Sequence, residues 1–174
     1  MSREPIYQPQ TNTWRVLLTR GYEAIIDAVD VGLADVMWFA MPNSNTVYAS
    51  RNEPLGNGKQ TTVMLHRAIL AAKLGRDLRV DEHVDHIDGN GLNNTRANLR
   101  LATKAQNAAN RGKQSNNTSG FKGVYWNKHA GKWSAQIQVN GTSKHLGYYI
   151  SKEAAYAAYC EAAEEYFGEF ANSG

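Results

Sequence analysis

Residues 84–110 read VDHIDGNGLNNTRANLRLATKAQNAAN, and this order predicts a small strand–loop–strand–helix unit. A short apolar segment comes first, a loop rich in Gly and Asn follows, and LRLA forms a second short strand. Thr103 with Gln106 three residues later is a capping-box signature, which predicts a helix over 103–111. The unit carries four polar residues of chemical interest: Asp85, His86, Asn98 and Asn107.

These polar residues suit phosphodiester cleavage with one hard cation. Asp85 and Asn107 would each offer an oxygen ligand, which suits Mg²⁺ or Mn²⁺ better than zinc. His86, neutral near pH 7, would accept the proton of an attacking water. Asn98 cannot titrate, and we expect it to bridge the loop and hold the hairpin, or to orient His86. An Asp–His pair is also common on protein surfaces, where it has no catalytic role.

Upstream of this unit, β-branched and aromatic residues between turn signals predict a series of short strands. The expected strands lie at 13–18, 22–27, 35–40, 46–50 and 61–65. A helix is predicted over 66–74, ending at Gly75. His66 at its start could pack, cap the helix or touch phosphate, and we expect a structural role.

Downstream, the segment 113–118 contains no apolar residue and is expected to be a linker. An Ala-rich helix is predicted over 152–167, with Ser151 as its N-cap. Between linker and helix, Gly-containing turns separate three predicted strands, at 121–126, 132–139 and 143–149.

The strand over 132–139 alternates between apolar residues, predicted to pack on the helix, and polar residues, predicted to form an open face. We expect this open face to contain Lys132, Ser134, Gln136 and Gln138, with Lys122 and Lys144 on the neighbouring strands. Such a face could enter a DNA major groove, and it could equally be an ordinary solvated surface.

Composition narrows the class of protein. The 174 residues carry a net charge of +3, and the segment 61–118 alone carries +4, which favours a polyanionic partner. No apolar run approaches the roughly 20 residues of a membrane helix. The start, MSREPIYQPQ, lacks the apolar stretch of a secretory signal peptide. A single cysteine, Cys160, excludes a disulfide framework and a thiolate-rich zinc site, so we expect a cytoplasmic protein of a bacterial or phage-infected cell.

Several motifs in order resemble a known family. The stretch 84–110 is similar to the HNH homing endonucleases of the phage and bacterial type, whose third motif residue is Asn: V-D-H-x-D-G-N, then N-L-R, then a helical Asn nine residues after the middle Asn. The upstream MLHRAIL (64–70) and TRGYEAIIDAVD (19–30) resemble further segments of that family. The block from SGFKGVYW (119–126) onward resembles the Apetala2, or ethylene-response-factor, DNA-binding domain.

The resemblance implies residue roles. Asp85 and Asn107 match the metal ligands, His86 matches the general base, and Asn98 matches the structural Asn of the motif. Further contacts with DNA are expected from Lys132 and Lys144 and from Arg67, Arg100 and Arg111. In the C-terminal block, five residues fall where the family's sheet touches DNA: Lys122, Tyr125, Asn127, Gln136 and Gln138. The plant domains use several Arg there, and Gln can still read adenine.

Together these observations predict an α+β protein with four parts: an N-terminal β-rich region (1–60), a ββα-metal nuclease (61–112), a linker (113–118) and an Apetala2-like DNA-binding domain (119–174). The expected activity is hydrolysis of duplex DNA with Mg²⁺ or Mn²⁺, one strand per monomer, without an organic cofactor. A monomer is expected, although a dimer is possible. The competing interpretation is an inactive DNA-binding or repressor protein derived from such a nuclease; a zinc-stabilised structural module is disfavoured because thiolates are missing.

Overall fold

The computed structural model describes residues 4–43, 46–114 and 116–172, so Ser115 of the predicted linker lies outside the described residues. The chain forms two compact units, Met1–Leu101 and Ala102–Gly174. Both contain strands and helices, which confirms the predicted α+β class. The division falls inside the predicted nuclease segment 61–112, and the four-part division stays a prediction.

The first unit is rich in strands. Two three-stranded antiparallel sheets, ordered β1-β2-β3 and β4-β5-β6, precede a two-stranded sheet of β7 and β8. The elements are β1 Ile6–Gln8, β2 Thr13–Leu17, β3 Glu23–Asp27, β4 Phe39–Pro42, β5 Val47–Gly56, β6 Lys59–Met64, α1 Leu65–Leu74, β7 His83–His86 and β8 Leu99–Ala102, with 3₁₀ helices at Thr19–Gly21 and Ala28–Ala34.

The predicted strand at 35–40 was wrong over most of its length. A 3₁₀ helix, Ala28–Ala34, comes first, and the strand begins only at Phe39. Trp38 between them is fully buried, and its indole N–H donates to the carbonyl of Leu33 at 2.7 Å. This tertiary anchor holds the chain in a turn that β-propensity could not reveal.

The core of the first unit joins both antiparallel sheets to α1 and the β7–β8 pair. Leu65, Ile69 and Leu70 of α1 are at most 1% exposed and pack in one cluster with Trp38. Fully burying such a side chain stabilises the fold by roughly 1.5–3 kcal/mol. The helix ends at Gly75 in the left-handed conformation, as the sequence predicted.

The second unit consists of one short helix and a sheet covered by a longer helix. Its elements are α2 Lys104–Ala109, β9 Val124–Asn127, β10 Lys132–Val139, β11 Thr142–Tyr149, α3 Lys152–Phe167 and a 3₁₀ helix at Gly168–Phe170. The strand order is β11-β10-β9, and both pairings are antiparallel. Thr103 forms the predicted capping box with Gln106, and Ser151 caps α3.

The first strand of this sheet is shorter than predicted, because it begins at Val124 and not at residue 121. Gly123 before it has a φ of +71°, and a Cβ there would overlap the ring of Tyr159 on α3. The chain therefore turns at Gly123 while passing close against α3, and it becomes extended only after this contact.

The alternation of β10 is confirmed, with one exception. Ala135 and Ile137 are buried beneath α3, whereas Lys132, Gln136 and Gln138 are exposed. Ser134 belongs to the exposed set by position but is fully buried, since His145 of β11 covers it with Nδ1 at 3.2 Å from its hydroxyl. Over the described part of the chain, no helix combines the length and the apolar character needed to cross a membrane.

Candidate functional site

Asp85 and His86 lie side by side on β7, the strand that the sequence predicted for them. Their exposed fractions are only 2% and 6%. A solvated surface pair would be far more exposed, so that alternative is excluded. Two adjacent buried polar residues on a short strand cost desolvation free energy, and each therefore needs specific partners.

The partner of Asp85 is an arginine of the neighbouring strand. Arg100 on β8 donates from Nε to Oδ2 of Asp85 at 2.8 Å, and only 15% of the Arg100 side chain is exposed. The ion pair compensates the buried carboxylate and fixes the direction of its oxygens. Asp85 is thus an anionic oxygen donor in a set position, which is the property required of a ligand for a hard cation.

The imidazole of His86 is held by Asn94. Its Nε2 lies 3.3 Å from Oδ1 of Asn94, a residue that is itself fully buried. Burial lowers the pKa of His86, and this effect outweighs the opposing influence of the bond to Asn94 and of the charges on Asp88 and Asp85. His86 is therefore neutral at pH 7, the state in which a histidine accepts a proton.

Two further rings pack against His86. The ring centroid of His66 in the first turn of α1 lies 5.2 Å from that of His86, and Tyr48 of β5 lies 5.8 Å from His86 and 5.3 Å from His66. Burial is the largest cause that lowers the pKa of His66, to about 3, and the neighbouring His86 and Arg67 add to it. These contacts support the expected structural role of His66.

Asn98 ties the loop between β7 and β8 together. Its Nδ2 donates to Oδ1 of Asp88 at 2.9 Å and to the carbonyl of Asn93 at 2.7 Å, and its Oδ1 accepts from the backbone N–H of Asp88 at 3.0 Å. Burial raises the pKa of Asp88, but the bonds from Asn93, the Asn90 backbone and Asn98 together leave it lowered. The contacts support the loop-bridging role, and it is Asn94 that contacts His86.

Sequence reasoning missed Asn94. The loop holds several Asn residues, and neither spacing nor periodicity distinguishes the one that turns inward.

Strand β3 of the N-terminal sheet binds the loop between β7 and β8 through backbone hydrogen bonds. The backbone of Ile25 on β3 donates to the carbonyl of Leu92 at 2.8 Å and accepts from Asn94 N–H at 2.8 Å. The guanidinium of Arg96 forms two bonds, of 2.9 and 2.7 Å, with the carboxylate of Asp30, whose side chain is 2% exposed. The N-terminal region is therefore part of the framework of the site.

Asn107, the other expected metal ligand, lies in the second unit, on α2, and is partly exposed.

Among the arginines expected to contact DNA, Arg67 donates to the carbonyls of Glu82 at 2.6 Å and Arg79 at 3.0 Å. Arg111 is exposed just beyond α2. The roles of these residues toward metal and DNA stay predictions.

Most of the residues expected on the open face of the sheet do come together. Directly paired residues of antiparallel strands share a face, and β10 pairs Lys132 with Asn127 and Ser134 with Tyr125. The pairings with β11 bring further polar side chains to the same face. The open face is defined here as Tyr125, Asn127, Lys132, Ser134, Gln136, Gln138, Ser143, His145 and Tyr148.

The expectation that Lys122 and Lys144 lie on this face was wrong. Lys144 pairs with Ile137, which faces α3, and its ammonium lies 4.4 Å from the ring centroid of Tyr166. Lys122 precedes β9, and its ammonium donates to the carbonyls of Ala109 at 2.6 Å and Asn172 at 2.9 Å. Burial lowers the pKa of Lys122 to about 8.

Comparison with known proteins gives two family matches in chain order. Residues 63–109 match the HNH endonuclease model, and residues 119–169 match the AP2 domain model. An uncharacterized HNH endonuclease of Acanthamoeba polyphaga mimivirus is 38% identical over 109 residues, which are 63% of this chain and 56% of that protein. Protein 3.8 of Escherichia phage T7 is 42% identical over 59 residues, 34% of this chain and 49% of that protein. The chain thus spans about half the length of these curated relatives. No solved structure matches.

Proposed function

On the premise of an HNH endonuclease segment followed by an AP2 segment, we propose that the protein is an endonuclease that hydrolyses phosphodiester bonds in duplex DNA. The observation that carries the proposal is the pair at the end of β7: a buried carboxylate fixed by an arginine, next to a buried, neutral imidazole. These are the two groups that hydrolysis of a phosphodiester requires from the protein.

In the proposed mechanism, His86 accepts the proton of a water that attacks the scissile phosphorus. The side chains of adjacent strand residues point to opposite faces of the strand. We therefore expect the scissile phosphate to lie between Asp85 and His86. Arg100 keeps the Asp85 carboxylate oriented. Asn98 keeps the loop closed, so that the pair stays in register.

Mg²⁺ or Mn²⁺ would supply charge stabilisation at the phosphate and at the leaving 3′ oxygen. The donor chemistry fits such an ion, since Asp85 offers an anionic oxygen; the resemblance alone assigns Asn107 as a second oxygen donor. Among the described residues no group of three His, Cys, Asp or Glu side chains could hold a metal. A bound ion would draw on amide and phosphate oxygens beside the Asp85 carboxylate.

We further propose that the open face of the C-terminal sheet contacts DNA and supplies sequence preference. The exposed amides of Gln136 and Gln138 can form paired bonds with adenine, and Lys132 adds a cation at the same face. One active site per chain would cut one DNA strand each time the protein binds. We also propose that the protein acts in the cytoplasm of a bacterial or phage-infected cell.

The open face is tested with duplexes selected from a random pool by the wild-type protein. Gln136→Ala is expected to weaken binding to these duplexes by about 1–3 kcal/mol and to relax the preference at one position. Lys144→Ala is the control, because its ammonium lies against Tyr166, and we expect a change in Kd below about twofold. Equal losses in the two variants would contradict the proposed face.

The activity is tested on supercoiled plasmid DNA with Mg²⁺, Mn²⁺ or EDTA. We expect metal-dependent conversion to the open circle and none in EDTA; direct conversion to linear DNA would indicate a dimer. DNA binding without cutting, on plasmids carrying selected binding sites, would contradict the proposal and favour the inactive DNA-binding protein.

A further inference from the structure

The amide of Asn94 can be assigned without ambiguity. Its Nδ2 donates to the carbonyl of Leu92 at 3.1 Å, so its Oδ1 is the atom that faces Nε2 of His86 at 3.3 Å. An amide oxygen only accepts hydrogen bonds, and the contact therefore requires a proton on Nε2. In the neutral imidazole the other nitrogen, Nδ1, is then the proton acceptor.

Asn94 itself is held from both sides. It is fully buried, so it does not touch a substrate. Its N–H bonds to Ile25 on β3, and the carbonyl of Leu92 that accepts from its amide also accepts from Ile25. Gly91 packs so closely on β5 that an added Cβ would lie 2.6 Å from the carbonyl oxygen of Val47, and its N–H donates to Thr46.

We propose that Asn94 is the positioning residue that keeps the proton of His86 on Nε2, leaving Nδ1 to accept the proton of the attacking water. The N-terminal sheet has a defined part in this arrangement, since β3 fixes the backbone that carries the amide. The inference rests on the proposed function of His86 as the base, and it assigns to residues 1–60 a role in catalysis through Ile25.

The first readout is the tautomer of His86, measured by nitrogen NMR on the full chain without metal or DNA. Wild-type His86 carries its proton on Nε2. Asn94→Leu, which keeps the volume and removes both polar atoms, yields a mixture of tautomers. Asn94→Asp retains an acceptor oxygen and keeps the wild-type tautomer. Asn93→Ala is the matched control, since the Asn93 amide bonds to Asp88 and Thr95.

The second readout is nicking at saturating plasmid and Mg²⁺. Asn94→Leu lowers kcat by about tenfold, because only part of the His86 population keeps the competent tautomer and orientation, and it leaves KM unchanged, because the substrate never contacts Asn94. Asn93→Ala stays within about twofold of wild type. A merely structural role would affect the two asparagines alike and would leave the tautomer of the folded fraction unchanged.

Two results would overturn the inference: a proton on Nδ1 of His86 in the wild type, or an unchanged tautomer and kcat in a folded Asn94→Leu variant. If Asn94→Leu does not fold, the tautomer of His86 in the wild type and in Asn94→Asp still tests the inference. A wild type that shows the Nε2 proton but never nicks DNA would refute the proposed nuclease function and leave the contact between Asn94 and His86 standing.

Discussion

At the scale of single residues, the most unusual group beside the active strand is His66. Its Nδ1 is shut off from solvent and has no hydrogen-bond partner among the residues that the structure describes. A buried polar atom left unsatisfied costs about 1–3 kcal/mol. The imidazole nevertheless packs edge-on against His86, the proposed base.

His66 should make folding stability depend on pH. The pKa of His66 is about 3 in the folded protein, against 6.5 ordinarily, so below pH 6.5 the unfolded chain binds a proton that the folded chain does not. The free energy of unfolding therefore falls as the pH drops, by about 2 kcal/mol from this residue between pH 7 and 5. His66→Phe is expected to remove that share in urea unfolding at both pH values.

The control is His129→Phe, at an exposed histidine in the turn before β10. In this variant the free energy of unfolding should change with pH as it does in the wild type. If His66→Phe showed the wild-type slope as well, the buried imidazole would not be the cause.

The residue types of the site could be predicted from the sequence, because Asp85, His86 and Asn98 lie within one short segment of the chain. The contact of Asn94 with His86 could not, because it depends on β3 holding the loop from more than sixty residues away in the chain. The partnership of Arg100 with Asp85 was missed for a related reason: strand register decides it, and the sequence suggested only a basic residue near DNA.

At the scale of elements, the decisive contact is the clamp between the N-terminal sheet and the loop of the site. Asp30 is almost fully buried, and Arg96 neutralises it with two hydrogen bonds. Removing one partner of a fully buried pair leaves an uncompensated charge, which costs about 3–5 kcal/mol. The cost is expected to be smaller here, about 2 kcal/mol, because 31% of the Arg96 side chain is exposed.

Arg96→Leu is therefore expected to lower the free energy of unfolding of the first unit by about 2 kcal/mol, measured by urea denaturation. Arg79→Leu is the matched control, since the Arg79 side chain is 70% exposed and its partner Asp81 is 78% exposed. Its second partner, Glu82 at 3.6 Å, keeps two shorter bonds from Arg76 in this variant. Exposed pairs contribute at most about 1 kcal/mol. Similar losses for both arginines would show that the Asp30 pair does not hold the loop.

Elements with strong end signals were predicted well. Gly75, Thr103 and Ser151 each end or cap a helix as expected, and β10 has its predicted bounds. The failures share one physical cause: packing across the fold overrode local preference. Trp38 anchors a turn where a strand was expected, and the pairing of Lys144 with Ile137 turns that lysine toward α3.

At the scale of the whole molecule, the sequence correctly predicted two modules in the order HNH then AP2. The two modules differ in net charge: residues 61–118 carry a net charge of +4, and residues 119–174 carry a net charge of zero. Lys132 is the one lysine or arginine among the residues that define the open face. Binding by this face would rely on polar base contacts more than on phosphate attraction, which implies a shallow salt dependence.

Truncation after Arg111 is expected to lose most of the affinity for selected duplexes while weak, nonspecific nicking remains. The reason is that the proposed active strand lies in the first unit and the open face lies in the second. Gel shifts and plasmid nicking measure the two properties, and circular dichroism checks that the fragment folds. Full affinity in a folded fragment would show that the C-terminal sheet is not the main anchor.

The central claim is that His86 is the base of a metal-dependent nuclease, and single-turnover nicking tests it most directly. Wild type and His86→Ala are compared on plasmid carrying selected sites, at protein concentrations that saturate binding, with Mg²⁺ or with EDTA. We predict that wild type nicks only with Mg²⁺, and that His86→Ala binds with the same Kd but nicks at least about 100-fold more slowly. Nicking by His86→Ala at the wild-type rate would contradict the claim.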